Sequence, residues 1–378
     1  MSTKLKLGAG NWATKAGSLL SYNDENGNFK PLPFNFTRST GGTRVNKDGL
    51  IEVVTNNKPR IDFLNDSNGA LLLEPSRTNL ITYSEALSNL SPKNGTFVDN
   101  YATSPDGTQN ATKLTATDTD PYLYQSTTVS AGDYTISIYV KGIGSTIGKQ
   151  FVLVLEDGVS STLQTITSEW KRFTFSGTLS GGTAIRGVEI PNPAVTGDEV
   201  LVWGFQIEQG SYATSYIPTQ GATATRAAET CIQTPPSGII GQTEGTLFWD
   251  GVAIQGNYNQ LMFIKDSSNT QFIGMTVASG VIYGEIFNSS GYVHLYSYSI
   301  GANDTRFKMA LTYKTNSFAF YINGVQVANS TTGTTPTGFD DFYLNSRYNT
   351  RDFNCQINSA AIWNTHLTNA ELETLTTL

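Results

Sequence analysis

Hydrophobic and polar residues alternate with period two along several stretches of this chain, and turn-forming residues separate them. In Tyr134-Thr-Ile-Ser-Ile-Tyr-Val140, residues Tyr134, Ile136, Ile138 and Val140 share one face, while Thr135, Ser137 and Tyr139 share the other. That is the pattern of a half-buried strand. Trp170–Phe175 and Val200–Ile207 read as further alternating strands, whereas the unbroken apolar run Phe151–Leu155 predicts a strand buried on both faces. Short strands separated by Gly, Asp and Ser turns predict a sandwich or jelly roll over residues 79–233.

The prolines of Thr234-Pro-Pro-Ser-Gly238 cannot donate to a ladder and mark a boundary. A second sandwich is expected over 239–378, with strands at Gly245–Trp249, Leu261–Ile264, Phe272–Val277 and Val281–Phe287. Asn323-Gly324, between the apolar runs of Ser317–Val327, supplies the positive-φ residues of a tight hairpin. Thr368 and Glu371 have capping-box spacing ahead of Leu372 and Leu375, which predicts one short C-terminal helix. Residues 1–78 differ from the rest. Gly-rich stretches and the break Lys30-Pro-Leu-Pro33 read as an extended, strand-poor arm that must pack on something else to bury its apolar residues.

Composition sharpens this all-β reading. The 378 residues include 36 Gly, 18 Tyr and 19 Phe with only 15% charged residues, favouring strands and turns over helices. Twenty-four basic against 31 acidic residues give a net charge of −7, and no basic run exceeds a dipeptide, so the footprint that nucleic acid requires is missing. No segment approaches the ~20 apolar residues of a membrane span, and no secretory leader pattern opens the chain. Cys231 and Cys355 are too few for a disulfide scaffold. Two buried thiols are the simpler reading, and a pairing stays open because both flank the last domain.

Three stretches resemble a known family. Phe36–Glu52 (FTRSTGGTRVNKDGLIE), Pro59–Phe63 (PRIDF) and Leu71–Glu85 (LLLEPSRTNLITYSE) together resemble a leader found in bacteriophage tail and fibre-type virion proteins. The stretch Trp203–Thr219 resembles the closing strand of the carbohydrate-binding-module-like jelly rolls that follow that leader. Phe307–Tyr313, Tyr321–Gly324 and Ala360–Leu372 are similar to concanavalin A-like, laminin G-type sandwiches. The resemblance implies an N-terminal arm for virion assembly (1–78), a jelly roll (79–233) and a lectin-type sandwich (239–378) on the outside of a particle. It implies other virion proteins and a homo-oligomer, such as a trimer, as partners. Fold alone does not establish sugar binding.

Candidate chemistry narrows the function. A glycosidase needs two carboxyls placed across a cleft, and the strand pattern Glu-x-Asp-x-x-Glu does not occur. Glu156-Asp157 and Asp340-Asp341 are adjacent pairs beside Gly, as solvated turn acids are. The only histidines, His294 and His366, lie in a strand and before the terminal helix, and read as structural. No zinc-ligand spacing appears. Structural calcium needs only loop oxygens, for which Asp118, Asp120, Asp340 and Asp341 are candidates. Sugar binding needs aromatic faces flanked by amides and hydroxyls. The candidates are Tyr122 and Tyr124 after Pro121, Tyr292, Tyr296 and Tyr298 around a Gly turn, and Tyr343, Arg347 and Tyr348. Each of these rings could instead pair across strands in a core. The expectation is a virion surface protein, made in the host cytoplasm without a signal peptide, that binds host-surface polysaccharide. A purely structural virion protein is the alternative, and a polysaccharide-degrading enzyme is disfavoured.

Overall fold

The computed structural model of the chain describes residues 5–23, 30–235, 238–253, 259–300, 305–344 and 354–378. Antiparallel strands dominate, with the single described α-helix at Asn369–Thr376. The chain forms two compact units. One is Met1–Gly41, Val54–Pro75 and Ala228–Leu378, and the other is Gly42–Val53 and Ser76–Ala227. The second unit is therefore inserted into the sequence of the first.

In the inserted unit, Ala111–Ala116, Glu199–Gln209 and Gly132–Gly142 form the middle of a five-stranded sheet closed by Gly95–Ala102 and Lys171–Leu179. An opposing sheet is built on Tyr122–Val129, Gly182–Glu189 and Gln150–Glu156. Tyr134, Ile136, Ile138 and Val140 point into the shared core, as their spacing requires. Two strands exchange the roles expected of them. Phe151, Leu153 and Leu155 are buried while Val152 and Val154 are only half-buried, so this run has one open face. Val200–Glu208 is buried on both faces, because Trp203 on its outer face is covered by Ile51 and Tyr216.

The other unit is a two-sheet sandwich. Its front sheet runs Gly291–Ser299, Val281–Asn288, Phe272–Ala278, Asn259–Lys265, Asp341–Tyr343, Thr230–Gln233, Lys30–Thr37 and Ser18–Asn23. Its back sheet runs Leu5–Gly8, Cys355–Trp363, Glu244–Ala253, Arg306–Lys314, Ser317–Ile322 and Val325–Ser330. Asn323 and Gly324 both take positive φ in the last hairpin. Thr368 and Glu371 form a capping box, and Leu372 is buried.

The leading segment is not a separate strand-poor arm. Leu5–Gly8, Ser18–Asn23, Lys30–Thr37, Arg60–Asp62 and Ala70–Leu73 all lie in the sheets of this sandwich. Leu5, Leu7, Phe34, Phe36, Leu71 and Leu73 belong to its core. Pro31 and Pro33 are tolerated in a strand because Thr230–Ile232 pairs only with Asn35–Thr37, leaving the proline end open on that side. The boundary also shifts from Thr234. Thr230–Gln233 already pairs with Asp341–Tyr343, so the C-terminal unit begins near Ala228.

The polar residues of the leading segment explain its pattern. Arg38, Arg60, Glu74 and Glu229 are all buried. Glu229 accepts from Arg38 Nη1 at 2.7 Å and from Arg60 Nε and Nη2 at 2.7 and 2.5 Å, and Arg60 Nη1 reaches Glu74 at 2.9 Å. The Arg38 guanidinium also donates to the carbonyls of Thr40, Val54, Thr55 and Lys58. Burial alone would lower the pKa of Arg60, but the charges of Glu229 and Glu74 outweigh it and raise the value.

Candidate functional site

The front sheet of the C-terminal unit turns one face to its core and leaves the other as an outer face. Strand alternation puts Ile264, Ile273, Met275, Val277, Ile282 and Ile286 inside. The same alternation sends Phe263, Lys265, Phe272, Gly274, Thr276, Glu285 and Phe287 to the outer face. A β-bulge at Val293 then changes the register of the edge strand. Phe287 pairs with Tyr292, yet Ile286 pairs with His294 rather than with Val293. Tyr292 therefore joins the outer face, while His294, Tyr296 and Tyr298 fall on the core-facing side.

This bulge divides the three tyrosines that period two alone would group. Tyr296 stacks between His294 (5.4 Å) and Phe320 (6.4 Å), and its buried hydroxyl has no hydrogen-bond partner. Burial pushes that phenol up to about 12. It closes the core edge. Tyr298 lies on the same side, more exposed, at the strand's end.

On the outer face, Glu285 is the centre of a small polar cluster in an aromatic field. Its carboxylate is buried and accepts from Thr276 Oγ1 at 2.5 Å and from Tyr292 Oη at 3.2 Å. The Tyr292 ring meets Phe287 edge-on at 5.0 Å, and Phe287 stacks on Phe272 at 4.8 Å with an interplanar angle of 11°. Half of Tyr292 (51%) and of Leu295 (49%) stays open to solvent. The Phe263 ring lies over Gly274, where a Cβ would sit 2.0 Å from the ring, so only glycine fits there. Tyr343 packs buried against Phe263, with Lys265 Nζ 5.0 Å from its ring centroid. Among the described residues of this face Tyr292 is the most open ring, with Tyr283 and Phe287 half-buried, and it stands beside a carboxylate held by hydroxyls. The sequence reading named Tyr292 and Tyr343 but missed Glu285 and Thr276. A charged residue inside the otherwise apolar run Val281-Ile-Tyr-Gly-Glu-Ile-Phe287 was the available signal.

The other candidates fall elsewhere. Tyr122 and Tyr124 lie in the inserted unit, half-buried, with ring centroids 5.6 Å apart. They stand over the pairing partners Glu189 and Gly187, and burial, then the charge of Glu189, raises the pKa of Tyr122. Arg347 and Tyr348 lie outside the described residues. The candidate calcium ligands do not converge. Asp118 and Asp120 cap a turn around Thr119 in the inserted unit, whereas Asp340 and Asp341 engage Ser267 and Thr234 in the other. Among the described residues no three His, Cys, Asp or Glu side chains gather as a metal site. Cys231 and Cys355 are buried free thiols. Among the described residues no helix is long and apolar enough to cross a membrane.

Residues 256–373, which contain this face, match the Concanavalin A-like lectin/glucanases superfamily. The C-terminal unit carries a concanavalin A-like domain. No curated protein sequence matches the chain. Among solved structures, the chain is similar to the Ruminococcus gnavus IT-sialidase CBM40 bound to alpha2,3 sialyllactose (TM-score 0.32, 16% identity, 36% of this chain and 84% of that one). It is also similar to the leech intramolecular trans-sialidase complexed with 2,7-anhydro-Neu5Ac (0.33, 14%, 36% and 24%) and to the binding domain of botulinum neurotoxin DC in complex with rat synaptotagmin II (0.33, 14%, 39% and 39%).

Proposed function

We propose that this protein is a surface component of a bacteriophage particle that binds host-surface polysaccharide through the outer sheet face of its concanavalin A-like domain. The half-exposed Tyr292 ring beside the buried Glu285 carboxylate carries the reading. An open ring stacks on the C–H face of a sugar, and the buried Glu285 carboxylate fixes the orientation of that ring by accepting from its hydroxyl. The lectin/glucanase match over residues 256–373 supports the binding class, and the leader resemblance over residues 36–85 supports the virion setting. On this reading other virion proteins and further copies of the chain are the partners, and many copies would strengthen weak single-site binding.

Binding is favoured over catalysis by spacing. Asp341 is the other acid in the register rows of this face, three strands from Glu285, which is roughly 14 Å at ~4.8 Å per strand. Paired glycosidase carboxyls stand about 5–9.5 Å apart.

The test is a glycan-array and host-cell binding assay on the full chain and on Tyr292→Ala and Tyr298→Ala. Loss of the Tyr292 ring should weaken saturable binding several-fold, matching about 1 kcal/mol for one aromatic contact, while Tyr298→Ala on the opposite side leaves it unchanged. Equal effects, or no binding by the folded chain, would instead favour a protein that only packs on its neighbours.

A further inference from the structure

The sandwich of the C-terminal unit is closed along one flank and open along the other. At the closed flank Leu5–Gly8 pairs with Cys355–Trp363 of the back sheet, and Lys6 pairs with Tyr22 in the last strand of the front sheet. At the opposite flank Gly291–Ser299 pairs, among the described residues, with Val281–Asn288 alone, and Val325–Ser330 with Ser317–Ile322 alone. These two edges lie together, since His294 packs on Phe318 at 4.7 Å and Tyr296 on Phe320 at 6.4 Å.

An edge strand carries a row of backbone N–H and C=O groups that point away from its sheet, and proteins ordinarily blunt such a row with charges, proline or a bulge. Neither edge strand here holds Lys, Arg, Asp, Glu or Pro. The bulge at Val293 disturbs only the start of the front edge. From His294 to Ser299 the strand keeps a regular register with Ile286 to Val281. Leu295, Tyr298 and Val325 are 49%, 42% and 61% exposed, and Ser297 and Ser299 are exposed with them.

The occupant that fits this flank is a second copy of the chain. At a net charge of −7, two copies repel over most of their surface, and an uncharged flank is where they can approach. A two-fold axis perpendicular to the sheets lays the front edge antiparallel against itself, which partners both rows of backbone groups at once and extends the front sheet across the pair. The nine-residue edge is about 30 Å long at ~3.4 Å per residue, and two sheets ~10 Å apart with their outer side chains make the flank roughly 20 Å deep. That gives roughly 600 Å² from each copy, or about 1,200 Å² in total, at the lower limit of stable interfaces.

We infer that the open flank is a self-association surface, on which two copies pair edge to edge through Leu295–Ser299. This names the surface for the further copies proposed above and rests on that part of the reading alone. Ser297 stands at the middle of the exposed run, so the two-fold sets it beside its own copy. Ser297→Lys and Ser297→Asp each then bring like charges face to face, whereas an equimolar mixture of the two brings opposite charges together. Both changes are at an exposed position and should leave the thermal transition in place.

Sedimentation velocity on the full chain from ~1 to ~100 μM, the weak end of the affinities that interfaces of this size reach, reads the association. The wild-type chain should shift from monomer to dimer over that range. Each variant alone should associate about tenfold more weakly or less, and the mixture should recover the dimer. The inference is overturned if the wild type stays monomeric throughout, if it assembles and neither variant changes that, or if the variants lose association and their mixture does not regain it. Mass is measured without any glycan, so failure here and failure of the Tyr292 reading appear separately.

Discussion

Glu229 receives two guanidinium groups in a place without solvent, and this determines what its loss should do. Removing one member of a buried, hydrogen-bonded ion cluster leaves the others charged and unpaired, at a cost of about 3–5 kcal/mol. Glu229→Gln should therefore lower the stability of its unit by that order in chemical denaturation. Adding Arg60→Met to Glu229→Gln should recover only part of the loss, because Arg38 and Glu74 stay buried, one without Glu229 and the other without Arg60. A double variant no better than the single one would show that geometry, and not charge pairing, is what the cluster supplies. At this scale the sequence shows charged residues among apolar ones in Pro59-Arg60-Ile-Asp-Phe63 and Leu71-Leu-Leu-Glu74, but not that they meet. Glu229 lies 169 residues from Arg60, and only the fold brings them to hydrogen-bond distance. Glu285 and Thr276 are hidden in the same way.

Elements were more legible than pairings. The Asn323-Gly324 hairpin and the Thr368 cap follow from local chemistry, and both are present. The bulge at Val293 has no local signature, because no Gly or Pro marks it, and it decides which tyrosines face outward. Between the last strand and the helix, the His366 imidazole shares a 3.1 Å hydrogen bond with Ser317 Oγ. Burial, opposed by Glu244 and aided by Lys314, lowers its pKa. In the unfolded chain the group titrates near 6.5. As pH falls below that value the unfolded state takes up the proton first, and stability declines through the folded pKa. Denaturation midpoints measured from about pH 7.5 down to pH 5.5 should fall in the wild type and flatten in His366→Gln. A parallel decline in both proteins would assign the effect to other groups.

For the whole molecule, the interleaving of the units predicts an unequal response to truncation. Leu5, Leu7, Leu19, Phe34, Phe36, Ile61, Leu71 and Leu73 all lie in the core of the C-terminal sandwich. At about 1.5–3 kcal/mol for each buried side chain, eight of them supply a gross ~12–24 kcal/mol, more than the ~5–15 kcal/mol by which a typical domain is stable. A fragment Ala228–Leu378 should therefore lack a cooperative thermal transition and dispersed NMR signals, whereas Ser76–Ala227, which keeps both sheets of its own core, should retain them. A well-folded Ala228–Leu378 fragment would show that the leading strands are accessories.

The all-β class, the strongly alternating strands beyond residue 79, the hairpin and the cap were legible in the sequence, because each depends on side chains within a few residues of one another. The tertiary structure alone decided that the leading segment completes the last sandwich, which strands are covered on both faces, and which aromatic residues stay open. Those outcomes depend on what lies on the far side of each strand, and in an antiparallel sheet that neighbour can come from more than 300 residues away, as Leu7 beside Ala360 does. Period two specifies that a face exists, and only the packed chain specifies what covers it.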